Sequence, residues 1–355
     1  MRIVQVTKDH PEMGLVAGKS YVMAESDESS LPAAIGGVSA PLETYPKHVQ
    51  YKGQDLTGKR LLIYRGGGIG DTFFYTPLLQ YLKRAYPDCF IRVCTGAPAP
   101  LIANNDIDEI YGIPWDAQLM DDSDYCLGFQ GLIESGSPAS RRTHAVDLHF
   151  LRAGIDPTDI PIADKIPVLR FFADELDWAR EECLKLGVTK EHKVVGISCG
   201  TSMSRRDFPL DKLRVVIEAL LEDPTVLIVA LGSYHQTVQA QFLKHGSDRV
   251  IEATKYDVRQ ALVLAARFNL AISSDTFLVQ VMGAMHRPVI GLYGPFPSRL
   301  RMGYFKNAVG IDARTPCSPC CSHDPRDCLL GFPSPCYSVI PTELIIKHAK
   351  NFLGS

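Results

Sequence analysis

From residue 59 onward, short apolar runs alternate with longer amphipathic stretches. An unbroken or alternating apolar run predicts a strand, and a period near 3.6 predicts a helix. On that basis residues 61–64 form a strand, 71–85 a helix ended before Pro87, and 90–95 a second strand. A short helix at 99–104, strands at 109–113 and 126–129, and a helix at 134–152 complete the first series. A second series repeats the alternation. It runs helix 172–186, strand 193–198, helix 211–221, strand 226–231, helix 258–267, strand 270–273, helix 276–285 opened by Asp275, and strand 288–293. A helix at 342–352, signalled by Pro341, closes the chain. Strands alternating with helices predict an α/β protein with parallel sheets covered on both faces. Two series of similar length predict two Rossmann-like domains facing across a cleft, with ligands at the carboxyl ends of the strands.

Residues 1–57 read differently. Val4-Gln5-Val6 and Ser20-Tyr21-Val22-Met23 predict short strands around a turn at 14–18, and 26–43, rich in Ser, Gly, Pro and Ala, predicts a linker. The expected divisions are therefore 1–57, a small N-terminal β extension with its linker; 58–168, a first Rossmann-like domain; and 169–355, a second that includes a cysteine-rich loop at 316–337.

Composition narrows the function. A length of 355 residues suits about two domains of roughly 150 residues each. A net charge of -3 supplies no global field for nucleic acid, so nucleic acid is disfavoured as a partner, with a modified base left open as an acceptor. No apolar stretch reaches the roughly 18 residues of a membrane span. The N-terminus lacks a signal-peptide core, so a cytoplasmic location is expected. Of ten cysteines, Cys317, Cys320, Cys321, Cys328 and Cys336 crowd one segment. In a cytosolic protein that cluster reads as a metal site before it reads as disulfides. Cys317, Cys320, Cys328 and Cys336 are the candidate tetrahedral thiolate set, for iron or zinc, with Cys321 and His323 as substitutes. Reduced free thiols on a loop are the alternative.

The loop after the first strand, Gly66-Gly67-Gly68-Ile69-Gly70-Asp71, turns a strand into a helix and presents backbone N–H groups to an anion. Its glycines fit neither the dinucleotide fingerprint G-x-G-x-x-G nor a Walker loop, which needs Gly-Lys-Ser/Thr. Asp71 is either a helix-start carboxylate favoured by the dipole or a general base. Beyond the strand at 193–198, Gly200 and Thr201 form a loop that leads to Arg205-Arg206. The guanidinium of Arg206 suits bidentate phosphate binding; the alternative is a solvated pair matched by Asp207 and Asp211. Asp275 reads as an N-cap, with Thr276 as a further hydroxyl donor, at a helix start that can bind a diphosphate.

In order and spacing these pieces resemble glycosyltransferase family 9, the ADP-heptose:lipopolysaccharide heptosyltransferases and their relatives, over about residues 59–352. Residues 61–65 through Gly70-Asp71 and Thr76-Pro77 resemble the family's opening motif, and 105–110 its next turn. Gly196–Gly200 with Arg206-Asp207-Phe208-Pro209 is similar to its glycine strand and basic-x-aromatic-Pro step. Ser274-Asp275-Thr276 through Pro288 and Gly291-Leu292-Tyr293-Gly294-Pro295 is similar to its donor-site helix and strand. Cys317-Ser318-Pro319-Cys320 matches the cysteine loop that many members carry.

The resemblance implies a two-domain GT-B fold, with the first domain taking the acceptor and the second the donor. It implies inversion at the anomeric carbon, Asp71 as general base and a nucleotide-diphosphate sugar as donor, with the ADP-linked form favoured. Gly67, Gly68, Gly70, Gly200, Thr201 and Arg206 are the implied donor-site residues, with Gly232, Gln236, Lys255, Asp275 and Thr276. It also implies a structural iron or zinc at the cysteine loop. Phe277 stands where many relatives have glycine, Gln280 where many have histidine, and Gln236 where some have an acidic residue on the nucleoside. The expected partners are the sugar nucleotide and an acceptor glycan, protein or other hydroxyl-bearing molecule, with a homo-oligomer possible. A sugar-nucleotide epimerase or hydrolase, and an inactive nucleotide-sugar-binding module, are the competing readings.

Overall fold

The computed structural model describes residues 1–7, 9–23, 40–46, 48–134, 136–321, 328, 330–331 and 335–354. Most of the linker expected at 26–43, and His323, lie outside the described residues. The chain divides into two units, Met1–Leu132 with Val146–Asp164, and Ile133–Ala145 with Lys165–Ser355. Among the described residues no helix is long and apolar enough to cross a membrane.

The first unit carries β1 (Arg2–Gln5), β2 (Ser20–Met23), β3 (Ala40–Pro41), β4 (Arg60–Arg65), α1 (Ile69–Phe73) and α2 (Thr76–Ala85). It continues through β5 (Phe90–Thr95), β6 (Glu109–Tyr111), β7 (Trp115–Asp116), α3 (Gln118–Asp121), β8 (Tyr125–Gly128) and α4 (Ala145–Arg152). Strands β6-β5-β4-β8 form a parallel sheet in that order. The chain moves outward from β4 to β5 and β6, then returns to the other side of β4 as β8. That reversal places a topological switch point at the carboxyl ends of β4 and β8, where open α/β sheets bind ligands.

The expected hairpin of β1 and β2 is present, within a four-stranded antiparallel sheet ordered β3-β1-β2-β7. Strand β7 comes from between β6 and β8 and pairs Trp115 with Val22. Ile3, Val22 and Leu42 then share one buried cluster with Leu62, Tyr64 and Trp115. The N-terminal strands are thereby fixed to the parallel sheet by burial of apolar area.

Three expected helices differ, the one at 99–104 being only a 3₁₀ turn at Ala99–Leu101. The 71–85 helix is split at Phe74-Tyr75. Pro77 sits in the first turn of α2, where its missing N–H costs nothing, but it cannot continue α1. The Thr76 hydroxyl donates instead to the Phe73 carbonyl at 2.7 Å. The 134–152 helix is helical only as α4. Ahead of it Ser140 and Ser137 bond to each other's backbone, and such local bonds compete with the helical ladder.

The second unit contains α5 (Ala173–Lys185), β9 (Lys193–Ser198), α6 (Leu210–Leu220), β10 (Val226–Leu231), α7 (Thr237–Lys244), β11 (Val250–Ala253) and α8 (Val258–Ala265). It continues through β12 (Leu270–Ser274), α9 (Phe277–Ala284), β13 (Val289–Tyr293), α10 (Arg299–Met302), β14 (Ala308–Asp312) and α11 (Thr342–Leu353). Its parallel sheet has the order β11-β10-β9-β12-β13-β14. Every residue of β10 is buried, as expected of a central parallel strand covered on both faces. Val195, Ile197, Ile228 and Ile272 pack with Val216 and Ile217 of α6 and Ile345 of α11 in one core. The order reverses between β9 and β12, so the second switch point is formed by the loop after β9 and the start of α9.

Candidate functional site

At the first switch point β4 runs directly into the glycine turn. Gly67 adopts φ of +110°, which only glycine takes readily. Gly68 is the N-cap position and offers no side chain, so the turn brings Asp71 into the first turn of α1. Arg65, the last residue of β4, places Nη2 2.9 Å from Asp71 Oδ2. Arg65 is 1 % exposed and Asp71 29 %. The Arg65 guanidinium also donates to the Phe129 carbonyl at 2.6 Å. Gly66 N–H donates to Gln130 Oε1 at 3.0 Å. The loop after β8 thus holds both the guanidinium and the glycine turn. The result is a partly exposed carboxylate in the first turn of α1, paired with a buried cation at the end of β4.

At the second switch point Arg206 follows β9 in a short 3₁₀ turn. Its guanidinium donates to the Asp275 carbonyl at 3.1 Å and to Ser202 Oγ at 2.9 Å. It lies 3.7 Å from Asp275 Oδ2, an ion pair with Asp275 and not with the Asp207 or Asp211 of the alternative reading. The helix is capped by Thr276, whose Oγ1 accepts from Leu278 N–H at 3.3 Å, and not by Asp275 as the sequence suggested. One residue earlier in the chain, Asp275 turns its carboxylate to the arginines. Nearby in the same unit the ring of His144 stacks 3.8 Å from that of Tyr304. Burial pushes the His144 pKa down to about 3, with Arg301 and Lys165 adding to the shift.

The remaining expected donor residues divide into two groups. Gln236 folds back over two glycines: a Cβ on Gly200 would meet Gln236 Nε2 at 2.7 Å, and one on Gly232 would meet Oε1 at 2.9 Å. Its Oε1 accepts from Ser233 N–H at 2.9 Å and its Nε2 donates to the Thr201 carbonyl at 3.4 Å. Gln236 is a clasp joining the loops after β9 and β10. Thr201 is held in turn by Asp207, which accepts its N–H at 2.6 Å. Lys255 instead lies 3.5 Å from Glu182 on α5, with its head over the Tyr256 ring.

The expected four-thiolate site is not shown by the described residues. Among the described residues no group of three or more His, Cys, Asp or Glu side chains is arranged to hold a metal ion. Arg205 donates to Cys320 Sγ at 3.0 Å, and the Thr315 hydroxyl lies 3.7 Å from Cys317 Sγ. Burial raises the Cys336 thiol, with Cys320 and Cys328 contributing. The described residues do not show a metal site at these thiols, and no chemistry is routed through a metal.

Arg65, Gln130 and Arg301 escape the sequence reading. Arg65 carries a faint signal, a charged residue ending an otherwise apolar strand run. Gln130 and Arg301 carry none, because their partners are distant in sequence.

The model of glycosyltransferase family 9 (heptosyltransferase) matches residues 139–329. Lipopolysaccharide heptosyltransferase 1 of Campylobacter coli is 24% identical over 157 residues, covering 42% of this chain and 44% of that protein. The match therefore spans less than half of that relative's length. A family 9 glycosyl transferase of Veillonella parvula superposes with a TM-score of 0.68 at 16% identity, covering 85% of this chain and 99% of the other. TibC of enterotoxigenic E. coli, described as an iron-containing dodecameric glycosyltransferase, gives a TM-score of 0.56 at 11% identity over 99% of this chain and 90% of its own. TibC has also been crystallised with ADP-D-beta-D-heptose. At these identities the structural likenesses show a shared fold.

Proposed function

The chain belongs to glycosyltransferase family 9, and from that premise we propose that it is an inverting glycosyltransferase moving a sugar from an ADP-linked donor to an acceptor hydroxyl. The observation that carries this reading is the state of Asp71. Its Oδ2 is turned to a buried arginine, and the group keeps part of its surface in solvent. With Oδ2 held by Arg65, Oδ1 accepts the proton of the acceptor hydroxyl. That oxygen attacks the anomeric carbon from the side opposite the diphosphate. The carbon–oxygen bond to the diphosphate breaks, and its electron pair leaves with the phosphate oxygen. Arg206 and the first N–H groups of α9 meet the charge that develops there. The ADP-linked donor is favoured by the ligand of TibC and by the ADP bound to the E. coli heptosyltransferase WaaC.

The test is ADP release from ADP-heptose, with heptose-deficient lipopolysaccharide or protein fractions added and withheld. Release that requires an acceptor supports transfer. Equal release without acceptor replaces transfer with hydrolysis or epimerisation. Nucleotide binding without any turnover favours the inactive binding module.

A further inference from the structure

The start of α9 marks one end of the second crevice. Asp275 Oδ2 there lies 3.7 Å from Arg206 Nη1 and 3.9 Å from Arg301 Nε. On the β13 side the chain itself closes over the strand end. Ser318 Oγ donates to the Gly294 carbonyl at 2.6 Å, and Cys321 N–H donates to the Pro295 carbonyl at 2.7 Å. On the other side the loops after β9 and β10 are built on Gly200 and Gly232. A molecule held at α9 therefore extends across β9 and β10 toward the edge strand β11. That edge is three strand spacings, or about 14 Å, from β12.

A carboxylate waits at that edge. Glu252, next to last in β11, is in register with Ala230 of β10, and Ala230 with Ile197 of β9. Residues in register share a face, and Cys199, two residues after Ile197, continues it. The Glu252 charge is felt at the Cys199 thiol. The side chain thus leans from β11 over the carboxyl ends of the neighbouring strands, and it is half-buried.

Only one of its oxygens is engaged. The Thr254 hydroxyl donates to Oε1, and Thr254 N–H lies 3.4 Å from that same oxygen. Thr254 Oγ1 is in turn 2.9 Å from Oγ1 of Thr237, the first residue of α7, which donates to the Tyr234 carbonyl at 2.7 Å. Two threonines thereby tie the carboxylate to the loop after β10. Oε2 accepts no hydrogen bond among the described residues, and it can accept two. Gln236 cannot supply this charge. Its amide is neutral, and both ends of it are spent on the loops it clasps.

We propose that Glu252 is the ribose-recognising residue of the donor site, its Oε2 accepting from the 2′- and 3′-hydroxyls. The inference rests on the sugar-nucleotide reading of this unit. In Rossmann-like sheets a carboxylate beyond the phosphate loop is well suited to ribose hydroxyls. Here that role passes from position 236, acidic in some relatives, to the neighbouring strand.

The experiment is calorimetric titration of ADP, 2′-deoxy-ADP, 3′-deoxy-ADP and inorganic pyrophosphate into the wild type, Glu252→Gln and Glu252→Asp, each checked for folding by circular dichroism. The wild type binds ADP at least ~10-fold tighter than either deoxy form, the worth of a hydrogen bond to a charged group. In Glu252→Gln that preference falls below ~3-fold, while pyrophosphate affinity stays within about twofold of wild type, because the phosphate end is untouched. Glu252→Asp keeps the charge but withdraws it by one methylene, and falls between. It is the deciding variant if Glu252→Gln does not fold. A wild type that binds the deoxy forms as tightly as ADP overturns the inference without any variant. So does a folded Glu252→Gln that keeps the wild-type preference, or that loses ADP and the deoxy forms equally, and in each case the donor site still stands. Failure of the wild type to bind pyrophosphate or any nucleoside diphosphate overturns both.

Discussion

Arg65 Nη2 stands 2.9 Å from Asp71 Oδ2, joining the last residue of β4 to the first turn of the helix that follows it. The intervening turn has a glycine at each point where a side chain would interfere or the backbone turns left-handed. Strand, turn and helix therefore fix both ends of the ion pair. This geometry gives Asp71 a buried ion-pair partner in addition to its place in the first turn of α1.

Asp71→Asn retains shape and loses proton affinity. Acceptor-dependent turnover is expected to fall at least ~100-fold, the usual worth of a general base, with ADP affinity within about twofold of wild type. Steady-state kinetics paired with calorimetry reads both numbers. Unchanged turnover removes Asp71 from the chemistry.

Arg65→Lys keeps a cation but cannot hold Asp71 and the Phe129 carbonyl together. A misplaced base costs rate more than binding, so kcat is expected to fall ~10–100-fold with little change in donor KM. The acid limb of the pH–rate profile should move as well, which a purely structural loss of folded enzyme leaves in place.

His144 stays neutral in the fold because burial pushes its pKa from 6.5 to about 3. Between those values the unfolded chain takes a proton that the folded chain does not. Stability is therefore complete above the unfolded pKa and lost as the pH falls through the window, by up to about 1.4 kcal/mol per pH unit. Urea unfolding at pH 7 and pH 5 should show the wild type losing about 2 kcal/mol more than His144→Phe, which keeps the stack on Tyr304. Equal losses in the two proteins contradict the buried neutral state.

Asp275→Asn removes the carboxylate that Arg206 and Arg301 share. A melting temperature below wild type is expected, since two buried cations lose a common counterion. Pyrophosphate should then raise the variant's melting temperature more than the wild type's, by restoring an anion between the arginines. A variant less responsive to pyrophosphate than wild type contradicts this placement.

Gln236→Ala opens the clasp between the loops after β9 and β10. The loss of its two hydrogen bonds is expected to cost about 1 kcal/mol of stability. Nucleotide affinity should fall modestly, through looser loops and not through a lost contact. A large affinity loss at unchanged stability would instead put Gln236 against the nucleotide.

Much of the fold is legible because it is local. The apolar run of β10, the strand–glycine–helix step at Asp71 and the strand-to-helix step at Asp275 each show within a dozen residues. What escapes depends on pairing across the chain. Trp115 in β7 is an unremarked tryptophan until it pairs with Val22 in β2, and that pairing ties the N-terminal strands to the parallel sheet. Pro77 is visible in sequence, yet its effect, two helices where one period runs through, depends on Thr76 bonding back to Phe73. At the site the same division holds. Asp71, Arg206 and Asp275 each follow a strand within a short local step that the sequence displays. Arg301 becomes meaningful only when α10 brings it to Asp275. The four-cysteine spacing suggested a metal centre that the described residues do not show.

The most direct test of the central claim is calorimetric titration of ADP, GDP, UDP and CDP into the wild type and Arg206→Ala. The account predicts one-site binding, with ADP tightest, and an affinity at least ~10-fold lower in Arg206→Ala, the loss of a charge-assisted bond to phosphate. A folded wild type that binds none of the four, or an Arg206→Ala protein that binds as tightly as wild type, would contradict it.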